Sequence, residues 1–144
     1  MKNDTIAIEV LKRALEKSWT QKTSADPKNW NKENPQWGQC AVTALVVQDL
    51  FGGKIYRLDL AFADDLKVRL MRSHYFNSTE NQLIDLTADQ FQNNNDEYYI
   101  QSIQMPERIL LSSRERLLSN SETKSRYLRL KLDVDRYLSR VPKK

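Results

Sequence analysis

Three side chains carry the reactive chemistry of this 144-residue chain: Cys40, His74 and Asp85. It has one cysteine and one histidine, so neither role can pass to another residue. Cys40 stands where a Trp- and Pro-bearing loop runs into the apolar stretch from Ala41 to Phe51. A helix starting at or just before Cys40 places the thiol at a helix N-terminus, where the macrodipole and free backbone N–H groups favour thiolate over thiol. That is the setting of an activated nucleophile. The competing reading is structural, because a lone cysteine beside Ala41, Val42 and Ala44 is often just a small buried apolar residue.

The stretch from 74 to 87 decides between them. A four-residue loop from Ser78 to Asn81 pairs Asn77 with Gln82 and sets His74 opposite Asp85. Directly opposed residues of an antiparallel pair share a face with Cβ atoms about 5 Å apart, close enough for a carboxylate to accept an imidazole N–H. Phe76 and Leu83 fall on the same face and are expected to point at the core, which aims His74 and Asp85 at the helix headed by Cys40. Nucleophile, base and orienting carboxylate then converge. Each member also has a plain structural use, His74 as a hydrogen-bonded core residue and Asp85 as a turn cap.

The elements that must position these residues follow from periodicity. Asp4 can cap a helix running to about Trp19, with Ile8, Leu11, Leu15 and Trp19 as its apolar stripe. Residues 20 to 37 show no regular period and read as a long loop whose Trp30 and Trp37 either wall a cleft or cover the end of the core. The segment from about Gly38 to Phe51 is apolar on several sides, which predicts a central helix ended by Gly52-Gly53. Alternation at Tyr56, Leu58, Leu60 and Phe62 predicts a strand, Asp64-Asp65 a turn, and 68–77 and 83–87 two antiparallel strands. A further strand is expected from Tyr98 to Ile103, then a break at Pro106. A short helix over 113–118 and a long one from Ser121 to near Arg140 follow. Tyr127, Leu130, Val134, Tyr137, Leu138 and Val141 form the inward stripe of the long helix, and Leu128 and Leu132, outside it, read as a secondary contact seam or a partner site, with packing within the monomer the favoured account. The order helix, strands, helix gives an α+β domain with an antiparallel sheet, one domain over residues 1–144.

With 40% hydrophobic and 29% charged residues, the chain reads as a soluble globular protein rather than a disordered or membrane-spanning one. The opening Met1-Lys2-Asn3-Asp4 has no apolar signal segment, and the expected location is the cytosol. A single cysteine suits that reducing compartment and excludes an internal disulfide or a multi-cysteine zinc site. The net charge of +4 is uneven, since residues 107–144 hold eleven Lys/Arg against five Asp/Glu. No nucleic-acid recognition motif accompanies that basic end, which argues for a solvated helix face and against nucleic-acid binding.

The motifs also resemble a known family. Gly38-Gln39-Cys40 is similar to the nucleophile motif of the transglutaminases, and His74-Tyr75-Phe76 with Asp85-Leu86-Thr87 resembles the His and Asp elements of the transglutaminase-like and papain-like superfamily, in the same order. The resemblance is closer to the small bacterial YunG-like proteins. It runs through Gly38 to Asp49, Gly52-Gly53-Lys54-Ile55, Ser73 to Asn77, and Asp85-Leu86-Thr87-Ala88-Asp89-Gln90-Phe91. It implies a papain/transglutaminase-like core, with a central helix packed on an antiparallel sheet and helices added at both ends. Ala41 stands where the larger family usually carries Trp, and the short spacings fit a minimal core. The implied activity is that of a cysteine hydrolase or acyltransferase on amide or thioester bonds, with a Cys40–His74–Asp85 triad. The Cys40 backbone N–H supplies one oxyanion donor, and Gln36, Gln39 and the Trp30 or Trp37 indole are candidates for the other. No metal or organic cofactor is implied, and the expected partner is a peptide, protein or small amide or thioester substrate. The alternative is a non-catalytic module that holds a protein partner through the Trp30/Trp37 loop or the basic terminal helix.

Overall fold

The computed structural model describes residues 7–60, 73–80, 82–91 and 109–141. The expected features at Asp4, Phe62, Asp64-Asp65, 68–72, Tyr98 to Ile103 and Pro106 lie outside the described residues. Helices α1 (Ile8–Ser18), α2 (Cys40–Phe51), α3 (Arg114–Ser119) and α4 (Ser121–Ser139) accompany strands β1 (Lys54–Asp59), β2 (Ser73–Thr79), β3 (Gln82–Ile84) and β4 (Ile109–Ser112). The strands form one antiparallel sheet in the order β3-β2-β1-β4. The chain is therefore α+β with an antiparallel four-stranded sheet. No helix among the described residues is long and apolar enough to cross a membrane.

The apolar stripes sort the helices as their spacing requires. Leu11 and Leu15 of α1, Val42, Leu45 and Val46 of α2, and Leu130 and Val134 of α4 meet in one buried cluster with Ile55 and Ile84 of the sheet. Its apolar content on several sides leaves α2 between α4 and the sheet, where it packs against β1 and β2. Asn120 caps α4 by accepting the Thr123 N–H at 2.9 Å, and Ser113 caps α3 by accepting that of Arg116 at 3.0 Å. Arg114 fastens α3 and α4 to the C-terminal end of α2. Its guanidinium lies 2.7 Å from Asp49, donates to the Leu45 carbonyl at 3.3 Å and reaches the Tyr127 hydroxyl at 2.9 Å. A cation there also offsets the negative end of the α2 dipole. Leu45 and Leu130 have no exposed surface. Either truncated to alanine is expected to lower unfolding free energy by about 2–5 kcal/mol in urea titrations, through lost burial plus a cavity.

The sheet has two covered faces. Ile55, Asn77 and Ile84 face α2, and the Asn77 amide donates to the Ala44 carbonyl at 2.9 Å. On the other face, Tyr56, Leu58, His74 and Phe76 are paired across β1 and β2, and Trp37 packs there with Leu58, Leu60 and Phe76. Phe76 therefore meets the loop tryptophan rather than the helix. Leu83, expected inward beside it, is 53% exposed, because β3 is an edge strand of three residues and the loop cluster does not extend over it.

Two other expectations are corrected, and one strand is added. The β2–β3 register pairs Thr79 with Gln82 and Asn77 with Ile84, so two residues intervene rather than four. Residues 109–112, to which no element was assigned, form β4 against β1. Leu128 and Leu132 are about half exposed instead of packed within the monomer, at 53% and 51%, since the inward stripe of α4 already fills its contact with α1 and α2.

Candidate active site

Helix α2 begins at Cys40, as the residue pattern requires. Gln39 occupies its N-cap but makes no side-chain cap, because its amide donates instead to the Thr20 carbonyl at 3.0 Å. Among the described residues no side chain caps the first turn, whose amides carry the partial positive charge of the helix N-terminus. Gly38 makes the approach possible with a φ of 76°, a left-handed turn that glycine adopts without cost. A Cβ at that position would collide with Ser24 Oγ and the amides of Ala25 and Asp26. Those same groups brace the loop: Ala25 N–H donates to the Gly38 carbonyl at 2.8 Å, and Ser24 Oγ donates to the Trp37 carbonyl at 2.7 Å.

Between Trp37 and Val42 the chain passes from the loop cluster to the helix cluster, and Cys40 lies on that passage, in neither. It is 6% exposed. Its Sγ is 3.9 Å from the carbonyl of Ser73, the residue preceding His74. Its surroundings are therefore polar on one side, at the backbone of the histidine strand.

The His74 ring is fully buried, and its Nε2 lies 2.7 Å from Asp85 Oδ2. Burial alone would favour the neutral ring. The Asp85 charge and hydrogen bond, with a smaller contribution from nearby Cys40, reverse this and raise His74 from 6.5 to about 10. The carboxylate is itself oriented, as its Oδ1 accepts the Thr87 N–H at 3.3 Å.

The His74–Asp85 pair forms although the register differs from the expected one. A shift of two residues leaves every side chain on its original face, because strand side chains alternate with period two. Asp85 moves from directly opposite His74 to the diagonal and sits just beyond the end of β3. A diagonal neighbour remains within reach of a long side chain.

The proposed oxyanion donors fare unequally. The Trp30 indole N–H donates to the Pro35 carbonyl at 2.9 Å and that of Trp37 to Asp26 at 3.0 Å, so both serve the loop. Trp37 is buried at 3% exposure, where it covers the loop face of the sheet rather than walling a cleft or meeting a partner. Gln39 is fully buried with its amide nitrogen engaged. Gln36 is buried and its Oε1 has no hydrogen-bond partner among the described residues.

One residue was absent from the candidate set. Gln90, 2% exposed, accepts the Gly38 N–H at 3.2 Å through Oε1 and donates to the Thr87 carbonyl at 3.0 Å through Nε2. A lone glutamine in a short 3₁₀ turn, Ala88–Phe91, leaves no periodic signal in sequence.

Among curated proteins the chain is similar to a Bacillus subtilis (strain 168) protein described as "Uncharacterized protein YunG", with 40% identity over 86 residues. The match spans 59% of this chain and 64% of that protein's length. No solved structure matches the chain. The model of the YunG protein family matches residues 7–139, which takes in the loop, the thiol-bearing helix, the histidine strand and the terminal helices, and the chain belongs to the YunG family.

Proposed function

We propose that this protein is a cysteine-dependent hydrolase or acyltransferase for amide or thioester bonds. The observation that carries the reading is a fully buried imidazole held at 2.7 Å by a carboxylate, on the strand whose Ser73 carbonyl lies 3.9 Å from the sulfur of a thiol at a helix N-terminus. A structural ion pair has no need of the thiol, and a packing cysteine has no need of the imidazole.

In the proposed reaction the His74 imidazolium stands beside the Cys40 thiolate, and the thiolate attacks the substrate carbonyl. Asp85 fixes the ring and balances the imidazolium. The tetrahedral oxyanion meets the Cys40 backbone N–H, with the amide of Gln36, buried in the preceding loop, as the candidate side-chain donor. Collapse breaks the bond to the amine or thiol leaving group, which departs with the His74 proton and leaves a thioester on Cys40. Water or an amine then attacks that thioester and gives its proton to His74, and release of the thiolate restores the site. The order of cysteine helix, histidine strand and following aspartate supports a papain/transglutaminase-like reading of the α+β fold, which is part of the proposal.

The test is alkylation of Cys40 by iodoacetamide from about pH 5 to pH 9. At about pH 6.5 an ordinary thiol is roughly 1% thiolate. The folded protein is expected to react about tenfold faster than a model thiol there, allowing for the lower nucleophilicity of a stabilised thiolate, and His74→Ala is expected to abolish the advantage. A folded protein whose Cys40 labels no faster than the model thiol would overturn the mechanism.

A further inference from the structure

The three reactive residues are joined by a second route that does not pass through their own side-chain contacts. Asp85 lies outside the β-ladder, so the sheet does not fix its backbone. Its orientation depends on the turn that follows, where Thr87 N–H donates to Asp85 Oδ1 and the Thr87 carbonyl accepts both the backbone N–H of Gln90 at 3.1 Å and its side-chain amide at 3.0 Å. Cys40 likewise depends on Gly38, whose amide is held by Gln90 Oε1. The Gln90 carbonyl accepts from Asn34 Nδ2 at 3.1 Å, a second tie to the same loop.

Gln90 therefore stands at the junction of both halves of the site. A circuit runs from Cys40 back two residues to Gly38, across to Gln90, through Thr87 to Asp85, and by way of His74 to Cys40 again. An amide suits the junction because one end donates and the other accepts, and burial makes loss of either partner costly. No carboxylate or hydroxyl of similar length offers both at once.

Building on the proposed triad, the structure assigns Gln90 the role of a positioning residue: it locks the carboxylate-bearing turn to the nucleophile loop and so sets the thiol against the imidazole. It touches neither substrate nor sulfur. Its effect is on geometry, where a displacement of about 1 Å can cost up to about a hundredfold in rate.

Gln90→Met keeps the length of the side chain and removes both polar ends. Its Cys40 alkylation rate, compared with wild type at matched folded fraction, is expected to fall about tenfold to a hundredfold at about pH 6.5, and its pH profile to move toward that of a simple thiol. In an Asp85→Asn background the same change is expected to add little, since both substitutions break one linkage. A residue that merely supports the fold would add its full effect to that of Asp85→Asn. A folded Gln90→Met with wild-type reactivity, or a fully additive double variant, overturns the assignment. If Gln90→Met does not fold, Gln90→Glu carries the test: it retains the acceptor for Gly38 and loses the donor to Thr87, and unchanged reactivity in it is equally fatal. Wild-type Cys40 that reacts like a model thiol defeats the nucleophile itself, a result distinct from a reactive wild type that Gln90→Met leaves untouched.

Discussion

Asp85→Asn is expected to lower unfolding free energy at neutral pH by about 3–5 kcal/mol, because it removes one partner of a buried ion pair and leaves the other in a site that disfavours its charge. The effect has a pH signature. His74 is raised from 6.5 to about 10 in the folded protein, so its contribution to stability is full below 6.5 and is lost as pH climbs through about 10. The variant lacks the carboxylate that raises the ring. The gap between the two proteins should thus be widest from mildly acidic to neutral conditions and close toward pH 10. Urea titrations at several pH values read this directly. A gap that stays constant across the range would mean that His74 is not held as an imidazolium, and with it would go the proton donor for the leaving group.

Gly38→Ala ranks beside it. A non-glycine residue at a φ of 76° costs about 1–2 kcal/mol, and the collision of its Cβ with Ser24 Oγ and the next two amides adds about 1–3 more. The total, about 2–5 kcal/mol, is the smaller part of the prediction. Relief of the clash must move either the 24–26 segment or the Gly38 amide that Gln90 holds, and either displaces Cys40 from His74. Alkylation of Cys40 should fall together with stability. Gly52→Ala is the matching control. Gly52 also has positive φ, at 72°, but nothing lies within 4 Å of a Cβ there, so it should cost about 1–3 kcal/mol and leave the thiol's reactivity as it was. Equal loss of reactivity in both variants would show that the effect is general weakening of the fold.

The His74–Asp85 pair was legible because its geometry depends on parity more than on register. Two residues of error in the hairpin preserved the face shared by His74 and Asp85, whereas one residue would have separated them. The helix start at Cys40 was legible because a glycine preceded a nearly continuous apolar run. Other features lacked a local signal. Strand β4 is four residues long with Leu110 and Leu111 adjacent, so no alternation marks it. Leu83 and the Leu128/Leu132 pair look like core residues by type and are exposed because other side chains already fill the available contacts. The loop tryptophans were left open between two uses for a related reason. Their aromatic bodies and N–H groups suit a cleft wall and a sheet cover equally well, and only the acceptors at Pro35 and Asp26 decide between these uses.

The bond from Gly38 to Gln90 joins residues 52 positions apart. During synthesis the cysteine leaves the ribosome well before the segment that completes its surroundings. Until that later stretch has emerged and docked, the sulfur has no oriented imidazole beside it and behaves as any dilute cellular thiol. Under the proposed mechanism, chemical competence is thereby tied to completion of the fold.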